Sequence, residues 1–351
     1  MTIRNNRWCH NYYTVCILLL LLFLNACTPS APPSATAPVA TTAPVATSTP
    51  AEDKTEIRIG ALRGPTAMGL VKLMQDAEAG ATDINYSFTL AGAADELSAA
   101  LLRGELDIIA VPVNLASVLY NRTEGGVIAL ALNTLGGLYL LEDGDTISNV
   151  SDLRGETVYS TGMGTTPEYV LNYLLLQNGL GDDEVTVEFR SEATELAALL
   201  EQGLATLAVL PEPYVTSVLA KNDKLRVALS FAEEWSKVSE GGASLVAGVT
   251  IVRSGFLEQN AAAITMFLDE YATSVAYTKS NPKETAALIA DVGIIPNAAI
   301  AEIALPKCNV VFRTGSEMQR DISSYLAVLY DTNPQAVGGA LPDEKFYYIA
   351  E

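Results

Sequence analysis

The stretch Val158-Tyr-Ser-Thr-Gly-Met-Gly-Thr-Thr-Pro167 decides the reading of this chain. Val158 and Tyr159 read as the end of a strand. Gly162 and Gly164 allow a tight turn where a β-carbon would clash. Thr165 or Thr166 can cap the helix that follows, and Pro167 suits its first turn. Tyr169, Val170, Tyr173, Leu174 and Leu176 then recur at helical spacing, and Asn178-Gly179 closes the element. A strand, a glycine turn and a helix N-terminus form a site for a small polar or anionic group. A lone Gly-x-Gly turn is weak evidence, but this chain contains the whole layout twice.

The second copy lies 99 positions upstream. The residues of 57–60 form a strand, Leu62-Arg63-Gly64-Pro65 turn, Thr66 takes the place of Thr165, and Gly80 that of Gly179. The offset holds onward. Tyr86, Phe88 and Leu90 match Val185, Val187 and Phe189; Glu96-Leu97 match Glu195-Leu196; Gly104 matches Gly203 and Pro112 matches Pro211. Any two βαβ units share hydrophobic positions. Glycine, proline and cap residues in one register are harder to obtain by chance, so the chain reads as an internal repeat.

Each half-repeat reads as βαβαβ. In the first, strands are expected at 57–61, 85–91 and 106–112, with helices at 66–79 and 94–103. Such alternation implies parallel pairing in a doubly wound sheet, with ligands beyond the carboxyl ends of the strands. Three loops of the first half meet that description: 62–66, 92–95 and 111–114. Arg63 is either a partner for a ligand carboxylate or sulfonate, or a solvated loop cation. Asn114 either faces the cleft or simply caps a helix over 115–120. In the second half, Val209-Leu-Pro-Glu-Pro-Tyr214 ends the fifth strand. Glu212, between two prolines, either receives an amine or aminopyrimidine edge or is a solvent-facing loop acid. Tyr214 either stacks on a ligand or packs the loop.

The expected crossings between two lobes lie after the strand 127–133, at Gly136-Gly137, and at the long apolar strand 245–252, which returns the chain to the first lobe. Glycines and Ser244 place that return near the pocket mouth. The remainder reads as helices at 261–278, 282–291, 296–305 and 317–330, whose apolar stripes are core, with an aromatic tail at 346–349 packed on the first lobe. The lobes are thus 54–135 with 245–351, and 138–240.

Residues 1–27 are not part of this fold. Arg4 and Arg7 precede an apolar run of ten, Val15 to Leu24. A membrane-spanning helix needs about twenty, so the run reads as a signal peptide. It ends in Leu24-Asn-Ala-Cys27. Residues 28–53, rich in Pro, Ala and Thr with Thr-Ala-Pro-Val-Ala-Thr repeated at 36 and 42, read as an extended tether.

Composition removes several function classes. The formal charge is −20, and becomes −22 once Arg4 and Arg7 leave with the signal. That balance argues against nucleic acid and against a basic membrane-binding face. The sole histidine, His10, lies in the signal, and of four cysteines only Cys308 stands within the expected fold. A Ser-His-Asp triad, a histidine-ligated zinc, a Cys-His pair and an internal disulfide are therefore excluded from the expected mature protein. Cys308 reads as a structural thiol. No cofactor or metal is called for.

Taken together, the leader, the tether, the repeat, Leu62-Arg-Gly-Pro-Thr66, Asp152-Leu-Arg-Gly155, Thr161-Gly-Met-Gly-Thr-Thr166 and Leu210-Pro-Glu-Pro-Tyr214 resemble the solute-binding lipoproteins of ABC importers. Within that class the chain resembles the nitrate, sulfonate, taurine and pyrimidine-precursor group over essentially all of 54–351. The resemblance implies an α/β, two-lobed type II periplasmic-binding fold with doubly wound mixed sheets and a central cleft. It implies lipidation at Cys27, anchoring on the outer face of the cytoplasmic membrane, and delivery of ligand to an ABC permease and its ATPase by a monomer. It matches Arg63, Gly64 and Thr66 to the ligand loop of the first lobe, and Gly164, Thr165 and Thr166 to that of the second. It matches Asn114 and Glu212 to the loops after the fifth strands. A sulfonate, a carboxylate, a zwitterion or a pyrimidine-like ring all suit these groups. The competing readings are a sensory lipoprotein that presents its ligand to a receptor, and an enzyme on the same fold. The enzymes of the pyrimidine-synthesis branch rely on histidine and a cysteine cluster, which the expected mature chain lacks.

Overall fold

The computed structural model describes residues 55–181, 183–239 and 243–349. The leader, Cys27 and the tether expected over 1–53 lie outside them. In chain order the first half-repeat gives β1 (Glu56–Leu62), α1 (Pro65–Met68), α2 (Val71–Glu78), β2 (Asn85–Ala91), α3 (Ala94–Leu102), β3 (Ile108–Pro112), α4 (Val113–Arg122) and β4 (Val127–Leu135). After β5 (Leu138–Asp143), the second gives β6 (Thr157–Thr161), α5 (Thr166–Gln177), β7 (Thr186–Arg190), α6 (Ala193–Glu201), β8 (Leu207–Pro211), α7 (Tyr214–Leu219), β9 (Leu225–Ser230) and α8 (Phe231–Val238). The chain continues through β10 (Val246–Arg253), α9 (Ser254–Gln259), α10 (Ala261–Ser280), α11 (Pro282–Asp291), α12 (Ala298–Ala304), β11 (Val310–Arg313) and α13 (Gly315–Thr332).

Two mixed sheets result, ordered β11-β4-β10-β3-β1-β2 and β7-β6-β8-β5-β9. Apart from the extra edge strand β11, they have the same plan. In each, an antiparallel strand from the other end of the crossing sits between the third and fourth strands: β10 in one, β5 in the other. The pairing register carries the repeat. Ile59 pairs with Phe88 and Val158 with Val187, while Gly60 pairs with Ile109 and Tyr159 with Ala208. Every one of these residues is 99 positions from its counterpart. The two crossings also meet, because the Gly136 N–H donates to the Leu245 carbonyl at 2.8 Å.

The apolar alternation buries Ile57 and Ile59 of β1, nearly every residue of β3 and β10, and the stripes of α10 and α13. The tail packs as expected on the six-stranded sheet: Tyr348 N–H donates to the Ala129 carbonyl at 2.9 Å, and Phe346 lies 5.1 Å from the Tyr120 ring.

Three local expectations change. The helix expected at 66–79 breaks into α1 and α2 around Gly69. The Ser274 hydroxyl of α10 donates to the Gly69 carbonyl at 2.6 Å and accepts from Leu73 N–H at 3.1 Å. It thereby replaces one rung of the helical ladder, a recognised cause of kinks. A β-carbon at residue 69 would lie 2.9 Å from Val275 Cγ2, so glycine lets α10 approach this closely. Along α5 the buried stripe uses Leu171 and Leu175, leaving Leu176 55% exposed. The short strand β11 lies inside a stretch that carries no alternation long enough to reveal it.

Candidate functional site

The loops at the carboxyl ends of both sheets' strands surround a cavity of about 690 Å³, within the range usual for small-molecule sites. α3, α5 and α6 start at Ala93, Thr165 and Glu192, all on the cavity lining, and none of the three has a side-chain cap. First-turn amides therefore face the cavity without a side-chain acceptor, and each helix brings its positive end. Thr165 is drawn away from capping because its hydroxyl donates to the Gly162 carbonyl at 2.7 Å. Thr66 is not the cap expected from its match to Thr165: it is the second residue of α1, after the cap Gly64, and its hydroxyl donates to the Leu62 carbonyl at 2.8 Å. The turn between Thr161 and Thr165 needs its glycines: Gly162 and Gly164 adopt φ of 72° and 74°, a region that favours glycine.

Arg63, Arg122 and Arg190 add cationic groups to the lining. Arg63 Nη1 donates to the Gly293 carbonyl at 2.8 Å. Arg190 lies over the Tyr159 ring at 4.9 Å and donates to the Phe189 carbonyl and to Glu188, both at 3.0 Å. Arg122 is exposed. Two carboxylates, Asp95 and Glu192, also belong to the lining, and Glu192 sits against Gly92 of the opposite half. Leu62, Leu102, Leu115, Leu119, Leu138 and Met163 supply apolar wall; Leu102 is 56% and Met163 67% exposed. The arrangement suits an anionic head with an apolar body.

Residues 125–285 match the family model described as NMT1/THI5 like. Among solved structures, the chain is similar to an ABC transporter protein from Parabacteroides distasonis, at 22% identity and a TM-score of 0.69, covering 85% of this chain and 99% of that one. It is similar to the periplasmic aliphatic sulphonate binding protein SsuA from Escherichia coli, at 18% identity and a TM-score of 0.65, covering 84% and 92%. It is also similar to the periplasmic nitrate-binding protein NrtA from Synechocystis, at 13% identity and a TM-score of 0.54, covering 68% and 66%. No curated protein sequence matches the chain. The fold is the periplasmic-binding fold.

Within that fold, seven of the residues singled out from sequence meet at the cavity: Arg63, Gly64, Thr66, Gly164, Thr165, Thr166 and Tyr214. Burial pushes the Tyr214 hydroxyl up, with nearby Arg63 pulling it the other way. Three others lie outside the lining. Asn114 is fully buried, and it is the second residue of α4 rather than its cap. Its amide donates to the Gly164 carbonyl at 3.2 Å and the Ala336 carbonyl at 3.3 Å, and its oxygen accepts from the Thr166 hydroxyl at 3.3 Å. It therefore joins the two halves behind the cavity.

Glu212 does not face the cleft. It is 1% exposed, and it turns back to accept from Thr216 N–H at 3.0 Å and Thr216 Oγ1 at 2.9 Å, tying down the start of α7. Burial pushes its carboxyl up, opposed by the Thr216 bonds and Lys307. Ser244 is exposed, and Ala247 takes the lining place expected of it. Cys308 is fully buried and donates to the Ala304 carbonyl at 3.3 Å. Among the described residues no group of His, Cys, Asp and Glu could hold a metal ion.

Arg190 and Glu192 are not among the residues the sequence singles out. The repeat does point to Glu192, since the 92–95 turn moved by 99 positions gives Ser191 to Thr194, but Arg190 stands one position before it. Arg122 and Leu102 sit at helix ends with no local pattern to mark them.

Proposed function

We infer that this protein is an extracytoplasmic solute-binding lipoprotein that closes around a small organic anion and delivers it to an ABC permease. The observation that carries the reading is that both half-repeats aim uncapped helix N-termini and arginines into one cavity. Such ends favour anions without any chemical step. The sulphonate- and nitrate-binding names of the similar structures support the same class. The leucine-rich wall favours a carboxylate or sulfonate with an apolar body over a bare inorganic ion, and Asp95 and Glu192 leave room for an amine at the rim.

In this reading the halves 54–135 with 245–351 and 138–240 act as two lobes hinged at the paired crossings, Gly136 and Leu245. Ligand contacts made to both lobes exist only in the closed form, so ligand shifts the population toward closure. Cys27 carries the lipid and the tether holds the lobes off the membrane. Among the described residues no helix is long and apolar enough to cross a membrane.

The test is a thermal-shift and calorimetric screen of alkyl and aryl sulfonates, carboxylates, aminosulfonates and nitrate. A ligand at 100 times its Kd stabilises by about 2.7 kcal/mol. The expected hit is an organic anion, weakened tenfold or more by Arg190→Ala, with a smaller radius of gyration in solution scattering at saturation. A hit without compaction sinks the closure mechanism. Binding indifferent to Arg190 and Arg63 sinks the site.

A further inference from the structure

Among the described residues, three buried side-chain oxygens have no hydrogen-bond partner: the Tyr271 and Tyr325 hydroxyls and Thr285 Oγ1. An unmatched buried polar group is costly, and native structures hold few of them. Tyr325 is placed where that cost has a use. It lies within α13, in the half formed by 54–135 with 245–351, and is fully buried. Its ring packs 5.3 Å from Trp235, which packs 4.7 Å from Tyr173. Trp235 is fixed in turn by its Nε1, which donates to the Ala243 carbonyl at 2.9 Å. The stack holds the phenol axis, so the hydroxyl stays where it is and a partner must come to it. Burial pushes this hydroxyl up, and the group that opposes the push is Thr166, the first residue of α5 and part of the cavity lining. The two oxygens are neighbours without a hydrogen bond between them.

Thr166 is loosely held on its other side as well. It donates to Asn114 Oδ1 at 3.3 Å, and Asn114 donates to the Gly164 carbonyl at 3.2 Å. Hydroxyl donors usually approach to about 2.7–2.8 Å and amide donors to about 2.9–3.0 Å. Tyr325 and Asn114 belong to one half, Thr166 and Gly164 to the other, so the slack contacts all lie along the same join. A threonine oxygen donates once and accepts twice, so Thr166 can keep Asn114 as its acceptor and still receive a donor. We propose that Tyr325 is a positioning residue for the second anion-binding turn: when an organic anion draws the halves together, its hydroxyl donates to Thr166 Oγ1 and completes a chain from Tyr325 through Thr166 to Asn114. Every group in that chain is then matched, and hydrogen bonds in series strengthen one another. The cost of the unmatched hydroxyl falls on the slack form and is relieved on binding. Tyr325 thereby adds to affinity without touching the ligand. The inference rests on the solute-binding reading above.

The test compares Tyr325→Phe, Thr166→Val, the two together, and Tyr271→Phe. Each is read by urea titration without anion, and by calorimetry with butanesulfonate, benzenesulfonate, butyrate, 2-aminoethanesulfonate and nitrate. Without anion, Tyr325→Phe should match or exceed the native urea midpoint, because it removes an unmatched hydroxyl. With the anion that the native protein binds most tightly, it should weaken binding about fivefold, the usual worth of one such bond. A hydroxyl that serves the fold alone would move the midpoint and not the affinity. Thr166→Val should also weaken binding, and the pair should be no weaker than Thr166→Val alone, since the acceptor is already gone. Tyr271, the other unmatched tyrosine, stands beside Asn133 and Thr250, and Tyr271→Phe should leave affinity unchanged. A lower midpoint for Tyr325→Phe shows a hydroxyl that already has its partner and overturns the proposal. So do unchanged affinity, additive losses in the pair, or an equal loss in Tyr271→Phe, and all of these leave the solute-binding reading standing. A native protein that binds none of the five anions overturns that reading and the proposal with it.

Discussion

Replacing Glu212 separates a structural acid from a ligand-binding one. The residue is 1% exposed, and both its carboxylate oxygens are used by Thr216. Lys307 Nζ approaches only to 4.0 Å and is half exposed, so it neutralises little of the buried charge. Glu212→Ala leaves the Thr216 N–H and hydroxyl without an acceptor in a buried place. At about 1–3 kcal/mol for each unsatisfied group, with partial relaxation, the expected loss is about 2–4 kcal/mol.

Glu212→Gln keeps shape and one acceptor, and its effect depends on pH. Burial raises the carboxyl in the folded state above its ordinary 4.5. Below about that pH the acid is protonated in both folded and unfolded chains, and the two proteins should be close in stability. As pH rises, the unfolded chain ionises first. Stability of the native protein then falls until the folded carboxyl has also ionised, by about 1.4 kcal/mol per unit of the shift. The glutamine variant has no such loss and should overtake the native protein near neutrality. Urea titrations from about pH 4 to about pH 8, followed by circular dichroism, read this directly. A glutamine variant that loses stability relative to native as pH rises refutes the buried-acid account. A variant that folds normally but no longer binds any anion that the native protein binds returns Glu212 to the site.

Asp107 should show the opposite pH dependence. Burial pushes its carboxyl up, but bonds from Arg58 at 2.7–3.0 Å and from Arg253 outweigh this and hold it below its ordinary 3.8. Its contribution is present above that pH and is lost as pH falls through the folded value, and Asp107→Asn should remove this acid limb and cost about 1–3 kcal/mol at neutrality in urea titrations, since both arginines are part-exposed. Gly248→Ala would place a methyl 2.5 Å from Asn133 Oδ1 and 2.6 Å from Thr66 Cγ2. Overpacking there should cost about 1–3 kcal/mol and shift Thr66 at the cavity, measurable as a lower urea midpoint with weakened anion binding. Asn114→Ala removes two hydrogen bonds across the join between halves, to Gly164 and Thr166, and a third within its own half, to Ala336; the expected result is a larger radius of gyration without ligand, recovered at ligand saturation.

The sheet plan was legible because the repeat is written in residues that backbone geometry demands. Gly80 and Gly179 close equivalent helices with φ of 68° and 72°, and strand pairing keeps the same offset in both sheets. What sequence hid was direction and distance. An acid between two prolines at a strand end shows a rigid backbone, but not that its side chain reaches four residues onward to Thr216. The break at Gly69 depends on Ser274, 205 positions away, and no local pattern announces it. Asn114 has the chemistry of a cap; its burial follows from the segment after α13 closing over α4, where the Ala336 carbonyl accepts its second bond and Val337 accepts from Ser117.

The two half-repeats have also diverged in how their ligand turns are held, and this bears on mechanism. The turn after β1 is fixed by distant parts of its own half: Arg63 N–H donates to the Ala91 carbonyl at 2.8 Å, its guanidinium to Gly293, and Ser274 locks the helix beyond. The turn after β6 is held mainly by its own residues, with Thr165 bonded to Gly162 and Gly164 N–H donating to Glu168. Its long-range support comes from Asn114, which belongs to the opposite half and reaches both Gly164 and Thr166. On the proposed two-lobe reading, separating the halves breaks the Asn114 bonds to Gly164 and Thr166 and leaves the turn its local bonds alone. In the proposed function, closure would then complete the long-range support of this turn. A ligand that touches the turn would gain its full set of contacts only with Asn114 in place, so on that proposal closure, rather than first encounter, selects the ligand.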